Sequence, residues 1–163
     1  MMRMVRNRTI QGGHLMNYRK TMSRLNNALN HIDSAYVAIA KKHGLTFNGL
    51  MTVCLIAESD NVTQKKVCDT LHLPKSTVHS ILLDFIRQDY MEFTTGSNKK
   101  EKYIIFTQIG SQHFSEILKE TWCFEDKILS ALGDDACIFL VNAAEKLSDI
   151  IKEEIDKISD SEV

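Results

Sequence analysis

The chain has 163 residues, enough for one domain with helical extensions and a core that buries about two-thirds of the unfolded surface. Hydrophobic residues make up 44% and charged residues 25%, and no unbroken apolar run approaches the ~20 residues of a membrane helix, so a spanning segment is excluded. The net charge of −1 hides a segregation: residues 1–20 carry +5, residues 62–102 carry +2 and residues 111–163 carry −8, so a polyanionic partner, if there is one, should meet the first two-thirds of the chain.

Arg3, Arg6 and Arg8 look like the start of a secretion signal, but no apolar stretch follows them before Gln11-Gly12-Gly13-His14. Residues 1–14 are therefore read as a disordered leader on a cytoplasmic protein. Four cysteines (Cys54, Cys68, Cys123, Cys137) show no CxxC spacing and read as small core residues rather than bridges or zinc ligands. One proline and seven glycines describe a helix-rich chain with few forced turns.

From Leu15 the apolar residues fall at 15, 18, 22, 25, 29, 32, 36 and 39, alternating in steps of three and four. That is a coiled-coil-type seam on a long helix, and it needs a partner to cover it. Lys41-Lys42-His43-Gly44 supplies cations and a glycine stop at its end. A second helix carries Phe47, Leu50, Met51, Cys54 and Leu55 on one face and ends near Glu58. A short third helix opens on Thr63 as N-cap, places Val67 and Leu71 on one face, and stops at His72-Leu73-Pro74, where proline suits a first helical position.

Helix 75–88 follows, with Val78, Ile81, Leu82, Phe85 and Ile86 in one stripe and Ser76, Thr77, His79, Ser80, Leu83 and Arg87 outside it. The apolar period then changes to two. Residues 91–95 and 102–107 flank Gly96-Ser97-Asn98-Lys99 and read as a hairpin with a basic tip. Two further helices are expected, one over Ser111–Leu132 with a break near Trp122-Cys123, and one from Asp134 to about Ile158 with apolar residues at 140, 144, 147, 151, 155 and 158. Two short helices joined by three residues and followed at once by a hairpin describe a winged helix-turn-helix. The fold class is thus mainly α with a small β-hairpin wing, a winged helix-turn-helix domain over residues 45–110 flanked by dimerisation helices over 15–44 and 111–163.

A helix presents free N–H groups and its positive dipole end to phosphate, and Lys75, Ser76 and Thr77 stand at that end of helix 75–88. Thr77, His79 and Ser80 are short polar side chains that reach base edges in a major groove, and Leu83 or the Thr77 methyl suits a thymine methyl. Arg87, with Lys99, Lys100 and Lys102 on hairpin 91–107, would neutralise flanking phosphates. Each residue also has a plainer role: Ser76 and Thr77 suit helix capping, and lysines often guard a solvated hairpin edge.

Thr63-Gln64-Lys65-Lys66-Val67, Lys75-Ser76-Thr77-Val78 and Phe106-Thr107-Gln108-Ile109-Gly110 resemble the motifs of the MarR family, the multiple antibiotic resistance regulators, and the likeness runs from Leu15 onward. It implies a dimeric transcription factor, most simply a ligand-responsive repressor, on a pseudo-palindromic site in double-stranded DNA. Leu15, Tyr18, Met22, Leu25, Leu147, Ile151 and Ile155 would then join the two protomers of a homodimer. An effector would sit between the dimerisation helices and the winged domain, against Met22, Tyr36, Met51, Cys54 and Phe114. Four departures stand out: Cys68 replaces alanine, His72 replaces glycine, Ser80 replaces a basic residue, and Asn98-Lys99-Lys100 replaces an Asp-x-Arg wing. Lysine offers a point charge where arginine offers a planar fork, so Lys100→Ala is expected to weaken all sequences alike.

No GxGxxG, GxSxG, P-loop or HExxH is present, and the histidines at 14, 31, 43, 72, 79 and 113 lack HxxxH spacing. An enzyme, a cofactor and a metal site are therefore not expected. Two alternatives to the ligand-responsive regulator remain, a winged-helix protein-association module without DNA binding, and a variant regulator that responds to thiol oxidation or metal.

Overall fold

The computed structural model describes residues 17–95 and 101–160, with the side chains of residues 159 and 160 left aside. Its elements run α1 (Tyr18–Lys42), α2 (Phe47–Glu58), α3 (Gln64–Leu71), α4 (Lys75–Arg87), β1 (Met91–Thr95), β2 (Lys102–Phe106), α5 (Gln108–Leu132) and α6 (Asp134–Asp160). β1 and β2 pair antiparallel from Met91 against Phe106 to Thr95 against Lys102. This is the expected winged helix-turn-helix between long terminal helices.

Helix starts follow local chemistry. The side chains of Asn17, Thr46, Thr63 and Thr107 each accept a hydrogen bond from a first-turn N–H of α1, α2, α3 and α5. Three helices close in the same way. After α1 the Leu45 N–H donates to the Ala40 carbonyl, after α3 the Leu73 N–H to Cys68, and after α4 the Tyr90 N–H to Phe85. Each bond brackets a left-handed residue: Gly44 (φ 71°), His72 (φ 50°) and Asp89 (φ 58°). Only the first of these is the glycine such a turn favours.

Three boundaries differ from expectation. Pro74 is the N-cap of α4 rather than its first helical residue. Helix α5 begins at Gln108, not Ser111, because Thr107 caps it, which puts Gly110 inside the first turn. It then runs unbroken through Trp122 and Cys123. Leu15 lies outside the described residues.

The core belongs to the winged domain. Leu50, Val53, Val62, Val67, Val78, Leu82, Phe85, Met91, Ile104 and Phe114 are all buried there. Phe114 is the hub, with ring centroids 5.3 Å from Phe85, 5.4 Å from Tyr90 and 5.3 Å from Phe106. By contrast, Ala40 is the one buried residue of α1, and α6 has none among its described side chains. A chain that left both stripes in water would forgo their hydrophobic contribution.

Candidate nucleic-acid interface

Pro74 has no side chain able to cap α4, and neither Ser76 nor Thr77 takes over the task. The capping role considered for these two residues is thereby replaced. The first-turn N–H groups of α4 stay open to an acceptor from outside, which is the requirement for phosphate at a helix N-terminus. Lys75 and Ser76 stand exposed beside them, and Thr77 is half-buried.

At 100° per residue, Val78, Leu82 and Phe85 form the buried row of α4, and Ser76, Ser80, Leu83 and Arg87 form the row opposite. His79 flanks that outer row on the Lys75 side, Asp84 on the Thr77 side. Lys75, Ser76, His79, Ser80 and Arg87 are all exposed. Ser80 and Asp84 also border a crevice of about 250 Å³ against the α1–α2 corner at Gly44 and Thr46. Asp84, the one acid in α4, was not foreseen as part of this face; it accepts a hydrogen bond from Gln88.

The wing is tied down at both ends. The Ile104 N–H donates to the Val62 carbonyl at 2.8 Å, holding β2 beside the start of α3. The Thr107 hydroxyl donates to the Asp89 carbonyl at 2.5 Å and its N–H to Tyr90 at 3.1 Å, fixing the end of the hairpin to the end of α4. Lys102 is exposed at the outer end of β2; Lys99 and Lys100 lie outside the described residues. Nearby, the Tyr103 hydroxyl donates to Glu101, which raises its pKa.

Residues of α3 join this face although they were not among the candidate DNA contacts. Gln64 Nε2 reaches the Lys75 carbonyl at 3.4 Å, linking the starts of α3 and α4. Lys65 pairs with Asp69 one turn on, and Lys66 reaches the Asp60 carbonyl at 3.4 Å. The advance signals for them were the Thr63–Val67 motif and the summed charge of residues 62–102.

The proposed effector residues do not line one cavity among the described residues. Phe114 is solid core, Met22 is exposed on α1, Met51 packs against the core from α2, and only Tyr36 and Cys54 come near each other, where α1, α2 and α5 meet. There the Tyr36 hydroxyl donates to Glu125 at 2.8 Å. Burial first, then the carboxylates of Glu58 and Glu125, push the Cys54 thiol up to about 12, which keeps it protonated and unreactive. Trp122, 41% exposed, donates from its indole to Glu58 at 3.1 Å. No three His, Cys, Asp or Glu side chains among the described residues gather to hold a metal.

A larger apolar cleft, about 580 Å³, lies between α1 and α6. Leu25, Leu147, Ile151 and Ile155 line it together with Leu29 and His72, so the two terminal stripes face each other across a gap in one chain. Tyr18 and Met22 remain exposed beyond it. At the α5–α6 elbow, Ile128, Leu132, Ile138, Phe139 and Val141 are exposed as well, with Phe139 at 76%. These were not singled out: Ile128 and Leu132 end α5, and Ile138, Phe139 and Val141 lie beside the α6 stripe at 140, 144, 147, 151, 155 and 158 rather than in it. No helix among the described residues is long and apolar enough to cross a membrane.

No protein-family profile matches the sequence, and neither does any curated protein. Solved structures do. A MarR family regulator from Neisseria meningitidis superposes with a TM-score of 0.74 at 20% identity, over 84% of this chain and 97% of that one. MepR from S. aureus, in complex with DNA, gives 0.65 at 17% identity, over 78% and 95%. MarR from Staphylococcus aureus, in complex with salicylate and kanamycin, gives 0.63 at 15% identity, over 84% and 96%. The fold is that of the MarR regulators.

Proposed function

We propose that this chain, built on the fold of the MarR regulators, is itself a transcriptional regulator, a cytoplasmic homodimer that binds a pseudo-palindromic site in double-stranded DNA. Residues 45–110 form the DNA-binding unit, and residues 15–44 and 111–163 join the protomers. Helix α4 enters the major groove through Ser76, Thr77, His79 and Ser80, while Lys75, Arg87 and the wing lysines Lys99, Lys100 and Lys102 neutralise phosphate. Two copies would then address half-sites about one helical turn apart.

The observation that carries this reading is the outer row of α4. One face of the helix is core, the opposite face carries exposed Ser76, Ser80 and Arg87, its first-turn N–H groups are uncapped, and the wing beside it is hydrogen-bonded to Val62 just before α3 and to Asp89 and Tyr90 just after α4. A structural neighbour crystallised with DNA supports the same assignment. The exposed apolar residues of α1 and α6 support a homodimer, and the neighbour holding salicylate supports a small-molecule effector that shifts the balance between binding and non-binding forms.

Selection of bound duplexes from a random pool tests the reading. The expected result is a two-fold symmetric sequence whose affinity falls steeply with salt, since phosphate neutralisation releases counterions. A protein that retains no duplex in dilute buffer overturns it in favour of a protein-association role.

A further inference from the structure

Among the aliphatic and aromatic residues of α4, Leu83 alone stays out of the core. Val78, Leu82 and Phe85 are buried in it and Ile81 and Ile86 pack against it, whereas Leu83 is half-buried with no part in that cluster. It lies instead on the outer row, between Ser80 and Arg87. A leucine in a groove-facing row can form no hydrogen bond, and the base-pair feature that complements it in the major groove is the thymine C5-methyl group.

The rest of the helix agrees. From Ser76 to Ile86, between Lys75 and Arg87 at its two ends, α4 contains no arginine, lysine, asparagine or glutamine, the side chains that make bidentate contacts to guanine or adenine. Ser76 and Ser80 offer hydroxyls that donate or accept and so discriminate weakly. We infer that Leu83 reads a thymine methyl group, so that each half-site carries an A·T pair under the middle of α4.

This rests on the DNA-binding reading above, and the test separates the two. The full-length protein is used with the duplex it selects, and each thymine is replaced in turn by uracil, which removes only the methyl group. In the wild type one thymine per half-site is expected to lose about fourfold in affinity, the worth of one buried methyl-sized group. In Leu83→Ala the parent duplex binds more weakly by a similar factor and uracil at that position causes no further loss, while Leu83→Met keeps the sensitivity. Unchanged melting temperatures in both variants report an intact fold. If no thymine is sensitive in the wild type, or the sensitivity persists undiminished in Leu83→Ala, the inference is overturned while DNA binding stands. If the wild type selects no duplex at all, both fail.

Discussion

Gly110 sits against the backbone of Tyr90: a β-carbon on Gly110 would run into the Tyr90 carbonyl oxygen. That same carbonyl accepts the Thr107 N–H, and Tyr90 stacks on His113 of α5 with ring centroids 4.1 Å apart. The turn after α4, the exit of the wing and the start of α5 therefore meet at one point with no room for a methyl group. This gives the Phe106–Gly110 motif a steric reason. Gly110→Ala is expected to lower stability by at least about 2 kcal/mol, because close-packed backbone cannot yield as a flexible side chain does. Chemical denaturation measures it.

Asp89 closes α4 in the left-handed region, where an L side chain is disfavoured. Among the described residues its side chain makes no hydrogen bond, and only its backbone is used: the carbonyl accepts the Thr107 hydroxyl and the N–H donates to the Ile86 carbonyl. Asp89→Gly should therefore stabilise the fold by roughly 0.5–1 kcal/mol. A raised melting temperature with DNA affinity intact is the expected readout.

Glu120 bridges Lys42 and His43 at the end of α1, 2.7 Å from each. The hydrogen bonds from Lys42 and then His43 hold its carboxyl below the ordinary 4.5. A carboxylate with a depressed folded-state pKa contributes stability that is present above the unfolded-state value and lost as pH falls through the folded one. Wild type and Glu120→Gln should thus differ in melting temperature at pH 7 and converge as the pH falls below 4.5 and through the depressed folded-state value. Equal differences at both pH values would contradict the ionic origin.

Phe139 is 76% exposed, so a single chain gains little from it. If a second copy covers the α5–α6 elbow, Phe139→Glu removes a buried aromatic from the interface and adds two repelling charges across the two-fold axis. Sedimentation should show the dimer falling to a monomer, and duplex affinity should drop at least tenfold, while thermal unfolding of the winged core stays cooperative. A dimer that survives places the interface elsewhere.

Lys102 is exposed on β2 with no acidic partner among the described residues. Lys102→Ala should weaken binding to every duplex by a similar factor and reduce the slope of log affinity against log salt by about 0.9, the signature of one lost phosphate contact.

Elements were readable from the chain alone wherever local rules act. The cap at Thr63, the stripes of α1 and α6, and the change of period at Met91 lie within a few residues of what they determine, so order, type and most boundaries of the elements could be stated in advance. The outer face of α4 was readable for the same reason, since a 3.6-residue repeat separates buried from exposed positions without knowledge of neighbours. Periodicity tells that a residue is covered, though not what covers it. Phe114 was grouped with Tyr36 and Cys54 as pocket lining, but packing sends it to Phe85, Tyr90 and Phe106 instead. Gly110 was read as lying outside α5 because its contact is with Tyr90, twenty positions away, and the exclusion of Leu83 from the core is visible only once the core has closed. Such pairings are settled by volume filling between distant segments, a constraint on the whole chain that no local window contains.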